Sequence, residues 1–234
     1  MATESKYQME LPTVVEKKKF GSPAPAPQAL TVFEGNLWMG SRDLRRIYQL
    51  DVATGKVLSE QECPGTPWAA VTTGDAMRFT IGEGADDDRY VTEYAEGFAS
   101  GNGSARGKDG LPARFACPDF TGSYLSWDGR NLYLSQWYKH RIVQFDSDGQ
   151  IARSIDISDE VSGHTFVNGK IYVLRGTEQN GESWRIAQFD PNEDRPDVKD
   201  VARIPFACRS LAFDGANFWS NHRAANKIIA FSLP

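Results

Sequence analysis

Five times along the chain a basic residue opens a short run in which apolar and polar side chains alternate. The runs are Arg46–Leu50, Arg89–Tyr94, Arg141–Phe145, Arg185–Phe189 and Lys227–Phe231. Each is preceded by a glycine turn and a second apolar run. The turn glycines Gly35, Gly74, Gly129, Gly169 and Gly215 recur every 39 to 55 residues. A unit of this size cannot bury its own apolar face, so copies must stack on one another. Alternation with period two identifies the runs as half-buried strands. Turns such as Glu34-Gly35-Asn36 and Asn168-Gly169-Lys170 identify hairpins, where glycine supplies positive φ at little steric cost.

Four strands fit each unit, and the pattern predicts an all-β, five-bladed β-propeller with four antiparallel strands per blade. The blades are expected at 27–62, 66–116, 121–158, 162–206 and 208–234, within a single domain covering 1–234. The last unit stops at Phe231-Ser232-Leu233-Pro234 without a fourth strand, while the segment 7–15 is a strand with no unit of its own. Residues 7–15 are therefore expected to close the ring in blade five, which would cover two bare sheet edges. Lys17-Lys18-Lys19 reads as a solvated turn, and Ser22–Pro27 as a stiff extended linker.

Composition excludes several function classes. With 40% hydrophobic residues the chain can form a core, and a net charge of −5 without a long basic tract argues against nucleic acid. No apolar stretch is long enough to span a bilayer. The expected state is a monomer in the cytoplasm, or in the periplasm or outside the cell if a leader has been removed. Three widely spaced cysteines, Cys63, Cys117 and Cys208, do not form a disulfide framework; they read as small apolar residues at a recurring structural position.

In a propeller, the loops entering the innermost strands and those joining the second strand to the third form one mouth of a central funnel. Concave sites between repeated units are where ligands bind. Those positions hold Ser41, Arg42 and Asp43; Trp68, Glu83 and Asp86-Asp87-Asp88; Tyr124, Gln136, Trp137, Tyr138 and His140; His164, Arg175 and Glu178; and Arg209, Asn221, His222 and Arg223. The expected partner is a small molecule, polar or anionic. Its binding residues are Arg42, Trp68, Tyr124, Trp137, Arg175, Arg209, Asn221 and His222: guanidiniums clamp an anion and aromatics form a stacking wall. If the protein is an enzyme, His164 or Glu83 would move the proton. The alternatives are a lyase, hydrolase or cyclotransferase on the same scaffold, and a protein-interaction platform. No cofactor is predicted. Gly84–Asp88 could offer carboxylates to calcium but lacks the spacing of a calcium loop. The recurring cations before each third strand are expected to pair with acids or carbonyls, outside any ligand site. The glycine-rich stretch Gly97–Gly110 reads as a surface insertion.

The stretch Ser123–Ile151, with Leu-Ser-Trp-Asp-Gly-Arg-Asn-Leu-Tyr-Leu-Ser and then Arg-Ile-Val-Gln-Phe-Asp, resembles a blade of the NHL/YVTN/gluconolactonase-like propeller superfamily. Blade count and length are similar to those of the plant- and bacterial-type glutaminyl cyclotransferases, which form pyroglutamate at peptide N-termini. That family's Phe-Thr-Gln-Gly-Leu and Asn-Glu-Leu-Glu segments are absent here. A gluconolactonase-type metal set could be imagined from Glu83, Asn221 and Asp43, with no motif to fix it. The resemblance therefore implies the fold, and no catalytic residue is carried over.

Overall fold

The structure, a computed structural model, describes residues 10–95, 97–98, 105–176 and 184–234. Five four-stranded antiparallel sheets form a ring. Blade one comprises β2 (Pro27–Phe33), β3 (Asn36–Ser41), β4 (Arg46–Asp51) and β5 (Val57–Glu62). Blade two comprises β6 (Thr66–Thr73), β7 (Ala76–Glu83), β8 (Asp88–Tyr94) and β9 (Arg114–Ala116). Blade three comprises β10 (Leu125–Trp127), β11 (Leu132–Gln136), β12 (Arg141–Phe145) and β13 (Ile151–Asp156). Blade four comprises β14 (Val161–Val167), β15 (Lys170–Arg175), β16 (Trp184–Phe189) and β17 (Lys199–Ile204). Blade five comprises β18 (Arg209–Phe213), β19 (Phe218–His222) and β20 (Lys227–Ser232), completed by β1 (Val15–Gly21) from the start of the chain.

The closing strand lies later than 7–15. Val15 pairs with Ser232 and Gly21 with Lys227, so Lys17-Lys18-Lys19 belongs to the strand rather than to a turn. The segment just before it runs along β17 instead, with Val14 N–H donating to the Arg203 carbonyl and Arg203 N–H to that of Pro12. Tyr7, Gln8 and Met9 lie outside the described residues. The displacement has a physical reason. The outer edge of a blade faces water, so its strand needs no apolar alternation, and lysines there discourage edge-to-edge aggregation. Phe20 is the one large apolar side chain of β1. Its ring lies 5.7 Å from that of Trp219.

Each sheet sends alternate side chains to its two neighbours. In β3, Leu37 and Met39 enter the layer shared with blade five, while Trp38 enters the layer shared with blade two. Five apolar layers result, one at each seam between blades. Cys117 and Cys208 are buried in two of them, Cys63 packs against a third, and none is in a disulfide. Burial pushes the Cys63 and Cys117 thiols up to about 12, consistent with inert packing residues.

Polar side chains bridge the blades around the axis. Gln28 Nε2 donates to the Trp68 carbonyl at 3.2 Å and to the Tyr124 hydroxyl at 3.0 Å. Its carbonyl accepts from Ser210 Oγ at 2.6 Å and Asn221 Nδ2 at 3.2 Å, and its Oε1 accepts from Arg223 Nη1 at 2.8 Å. One residue thereby ties blade one to blades two, three and five. His164 links the remaining blade: Nδ1 lies 2.7 Å from Ser126 Oγ and Nε2 lies 2.9 Å from the Tyr124 carbonyl. Gly163 permits the close approach of blades four and five, because a Cβ there would lie 2.6 Å from the backbone carbon of Ser210. No helix among the described residues is long and apolar enough to cross a membrane.

The glycine-rich insertion of blade two is held at its C-terminal end. Arg78 is fully buried and donates through Nε and Nη2 to Asp109 at 2.5 Å each, and through Nη1 to the Pro112 carbonyl at 2.8 Å. Glu93 Oε2 lies 3.8 Å from the same guanidinium and accepts from the Lys108 N–H. Asp109, near the C-terminal end of this stretch, is therefore an internal anchor.

Candidate ligand-binding cavity

A recurrent irregularity aims side chains at one mouth of the ring. The innermost strand pairs with its neighbour through a register shift between Pro27 and Ala29, between Pro67 and Ala69, between Val161 and Gly163, and between Arg209 and Ala212. A bulge of this kind turns an extra side chain out of the pleat. In blades one and two the extra residues are Gln28 and Trp68, and both face the mouth. In blade four it is Ser162, whose short side chain is buried.

The mouth encloses a cavity of about 380 Å³, within the range that small-molecule sites occupy. Its floor is Gln28, Ser123 and Tyr124. Its walls are Arg42, Trp68, Asp86, Asp87, Arg89, Trp137, Arg209 and Arg223, and its lip is Phe120, Thr121 and Tyr138. Four guanidiniums thus face two carboxylates in a chain whose net charge is −5, so the cavity is a cationic recess in an acidic molecule.

Local hydrogen bonds hold the wall. Asp87 accepts from Trp68 Nε1 at 3.0 Å on one oxygen and from Arg89 Nε and Nη2 at 3.2 and 3.1 Å on the other. The Arg89 guanidinium lies 3.8 Å from the Trp68 ring centroid and donates through Nη1 to the Gly122 carbonyl at 2.7 Å. The Arg209 guanidinium sits between Trp137 and Trp184, at 5.2 and 5.1 Å from their rings. Two short 3₁₀ turns, Pro118–Phe120 and Trp137–Lys139, carry the lip, and Lys139 pairs with Asp119 across them. Asp119 and Phe120 both adopt left-handed φ, at 54° and 53°, which no sequence pattern would favour. That backbone leaves Phe120 47% exposed, while Tyr138 on the other turn is 88% exposed.

Of the eight residues expected to bind a ligand, Arg42, Trp68, Tyr124, Trp137 and Arg209 line the cavity. Arg175 does not: it ends β15, and its Nε reaches sideways across the sheet to Asp200 at 2.7 Å. Asn221 faces blade one and holds the carbonyls of Gln28 and Ala29. The His222 ring stacks on Phe206 at 5.5 Å. His140 ends its turn with φ 49° and lies outside the lining. Glu178 is outside the described residues.

The two expected proton carriers lie elsewhere. Glu83 accepts from Arg114 Nη2 at 2.8 Å, toward the outer strand β9. His164 was expected to open its strand at the mouth, but β14 begins three residues earlier, so the imidazole falls in the middle of the strand. It is 1% exposed, and burial lowers its pKa to about 4, so it is neutral at pH 7. Its Nε2 carries the hydrogen, because the Tyr124 carbonyl can only accept.

Among the described residues no group of three His, Cys, Asp or Glu side chains is placed to hold a metal. The recurring cations mostly pair as expected: Arg46 with Glu60 and Glu62, Arg141 with Gln136, and Arg185 with Asp159 and Asp200. Arg89 departs from its equivalents by lining the cavity.

No protein-family model matches the chain, and no curated protein matches it in sequence. Solved structures do. Glutaminyl cyclase from Myxococcus xanthus superposes with a TM-score of 0.66 at 10% identity, covering 96% of this chain and 98% of that one. Regucalcin from Agrobacterium tumefaciens, a calcium-binding protein, gives 0.57 at 13% identity over 95% and 94% of the two chains. A catalytically inactive virginiamycin B lyase from Staphylococcus aureus, crystallised with quinupristin, gives 0.53 at 14% identity over 93% and 99%. At such identities the likeness is one of fold. The chain is a five-bladed β-propeller that shares its scaffold with enzymes and with binding proteins alike.

Proposed function

We propose that the protein binds a small ligand carrying an anionic group in the cavity at the mouth of the ring. The observation that carries this reading is the convergence of Arg42, Arg89, Arg209 and Arg223 with Trp137, Tyr124 and Tyr138 around one recess of ligand size in an otherwise acidic chain. Guanidiniums recognise anionic oxygens, and the exposed aromatics at the lip offer apolar area to the rest of the molecule. His164 and Glu83, the two residues expected to move a proton, both face away from the cavity.

Tryptophan fluorescence tests this directly, since Trp68 and Trp137 line the cavity. Titration with a panel of small organic anions should quench the emission saturably. Arg42→Ala and Trp137→Ala should each weaken the best anion by about 5- to 20-fold, on the scale of 1–2 kcal/mol for one charged or aromatic contact. Raising the ionic strength from about 0.05 to 0.5 M should weaken it further, because Arg42 stands in solvent. Affinities unchanged by both substitutions would remove the cavity assignment.

A further inference from the structure

The hydrogen bonds at the cavity floor leave the Tyr124 hydroxyl hydrogen without a partner among the described residues, and its meaning rests on the reading of that cavity as a ligand site. Gln28 can adopt only one orientation. Its Oε1 receives Arg223 Nη1, and its Nε2 donates to the Trp68 carbonyl. A guanidinium only donates and a carbonyl only accepts, so turning the amide round would break both bonds. The second hydrogen on Nε2 therefore goes to the Tyr124 hydroxyl, 3.0 Å away. The phenol oxygen is an acceptor toward Gln28, and its own hydrogen is left over.

Among the described residues nothing accepts that hydrogen. Tyr124 is nonetheless 3% exposed and forms part of the cavity lining. A hydroxyl hydrogen that no protein group takes, on a residue lining a cavity, is a ready donor to a ligand atom there. Its surroundings narrow the ligand. Arg89 and Arg209 stand near enough to act on the phenol electrostatically, and so does Arg223. A cationic group would face the repulsion of these three guanidiniums there. Arg89 already gives Nε, Nη1 and Nη2 to Asp87 and Gly122, so it has little left for the several oxygens of a phosphate, and a planar monoanion asks less of it. Above the floor, Trp137, Phe120 and Tyr138 present apolar surface.

We propose that the Tyr124 hydroxyl donates to one carboxylate oxygen of the ligand, and that the ligand is a small carboxylate with an aromatic or apolar remainder. Tyr124 is then the residue that selects an oxygen acceptor over an amine.

The test uses probes that share a ring and differ in the head group. Benzoate and phenylacetate, benzamide and benzylamine are titrated into the full chain and followed by calorimetry and tryptophan fluorescence. One of the two carboxylates should bind at least 10-fold tighter than benzamide, and benzylamine should not bind. Tyr124→Phe keeps the ring and removes the donor. It should lower carboxylate affinity 10- to 100-fold while changing benzamide affinity little, since a charge-assisted bond is stronger than a neutral one. The comparison within the wild-type protein needs no variant, so it decides the matter even if Tyr124→Phe folds poorly.

Binding indifferent to head group, binding of neither carboxylate, or an equal affinity in Tyr124→Phe overturns the carboxylate assignment. If Arg42→Ala and Trp137→Ala still weaken the carboxylates in that last case, the cavity stands and only the role of Tyr124 falls. If none of the three substitutions matters, both readings fall together.

Discussion

At the scale of single residues, His164 shows how a position can mislead. It follows Val161-Ser162-Gly163, and from the sequence the strand could begin at the histidine or before it. Three residues decide between an imidazole at the mouth and one locked between Ser126 and the Tyr124 carbonyl. The buried placement has a measurable consequence. The folded pKa of about 4 lies below the unfolded value near 6.5, so the unfolded chain binds the proton more readily between them. Stability from this group is complete above about pH 6.5 and falls as pH drops toward 4, by roughly 3 kcal/mol across the window. Urea unfolding at pH 7.5, 5.5 and 4.5 should show this slope. His164→Gln should flatten it and cost about 2 kcal/mol at neutral pH through the disturbed bonds.

Gln28 was legible in principle. It occupies the position in blade one that Trp68 occupies in blade two, beside a residue that breaks the strand register. An alignment of the repeats by that bulge, rather than by charge and aromaticity, finds it. Arg89 could not be separated from its four equivalents, because only the approach of the Trp68 ring distinguishes it.

At the scale of elements, the alternating strands were readable because every one of them divides its side chains between two seams. β1 was not, since it has just one seam and one ring to place there. Only its pairing with β20 identifies it. Removing residues 1–21 should therefore expose the edge of β20 and the face of Trp219, lowering the unfolding temperature by more than about 10 °C, with faster proteolysis in blade five. Phe20→Ala alone should cost about 1–2 kcal/mol, since the ring is partly buried.

The blade-two insertion makes a sharper case. Burial alone would raise the Asp109 carboxyl, but the Arg78 hydrogen bonds and charge outweigh it and hold it below the usual range. A carboxyl held low supports the fold above its unfolded pKa and ceases to as pH falls through the folded one, the same direction as His164. Asp109→Asn leaves a fully buried guanidinium with a weakened partner. It should cost about 3 kcal/mol in chemical denaturation, whereas Arg78→Leu with Asp109→Leu should recover most of that loss. No local pattern announces this pair, because 31 residues separate Arg78 from Asp109.

At the scale of the whole molecule, five apolar seams hold the ring, and that repetition made the architecture readable from the recurring alternating runs and their turn glycines. The cavity lies where the symmetry fails. Blades one, two, three and five send long polar or aromatic side chains to the mouth, while the bulge in blade four holds a serine. The other end of the axis is a separate recess of about 150 Å³, ringed by residues from all five blades such as Val32, Val71, Trp127, Phe166 and Phe213.

Between the two recesses, Gln28, Ser210, Ser126 and His164 are buried and hydrogen-bonded across neighbouring blades. On the proposed ligand reading, a molecule held in the cationic recess would pass the rings of Tyr138 and Phe120 at its lip. Trimming either ring should then hasten its escape, even where the grip at the floor is untouched.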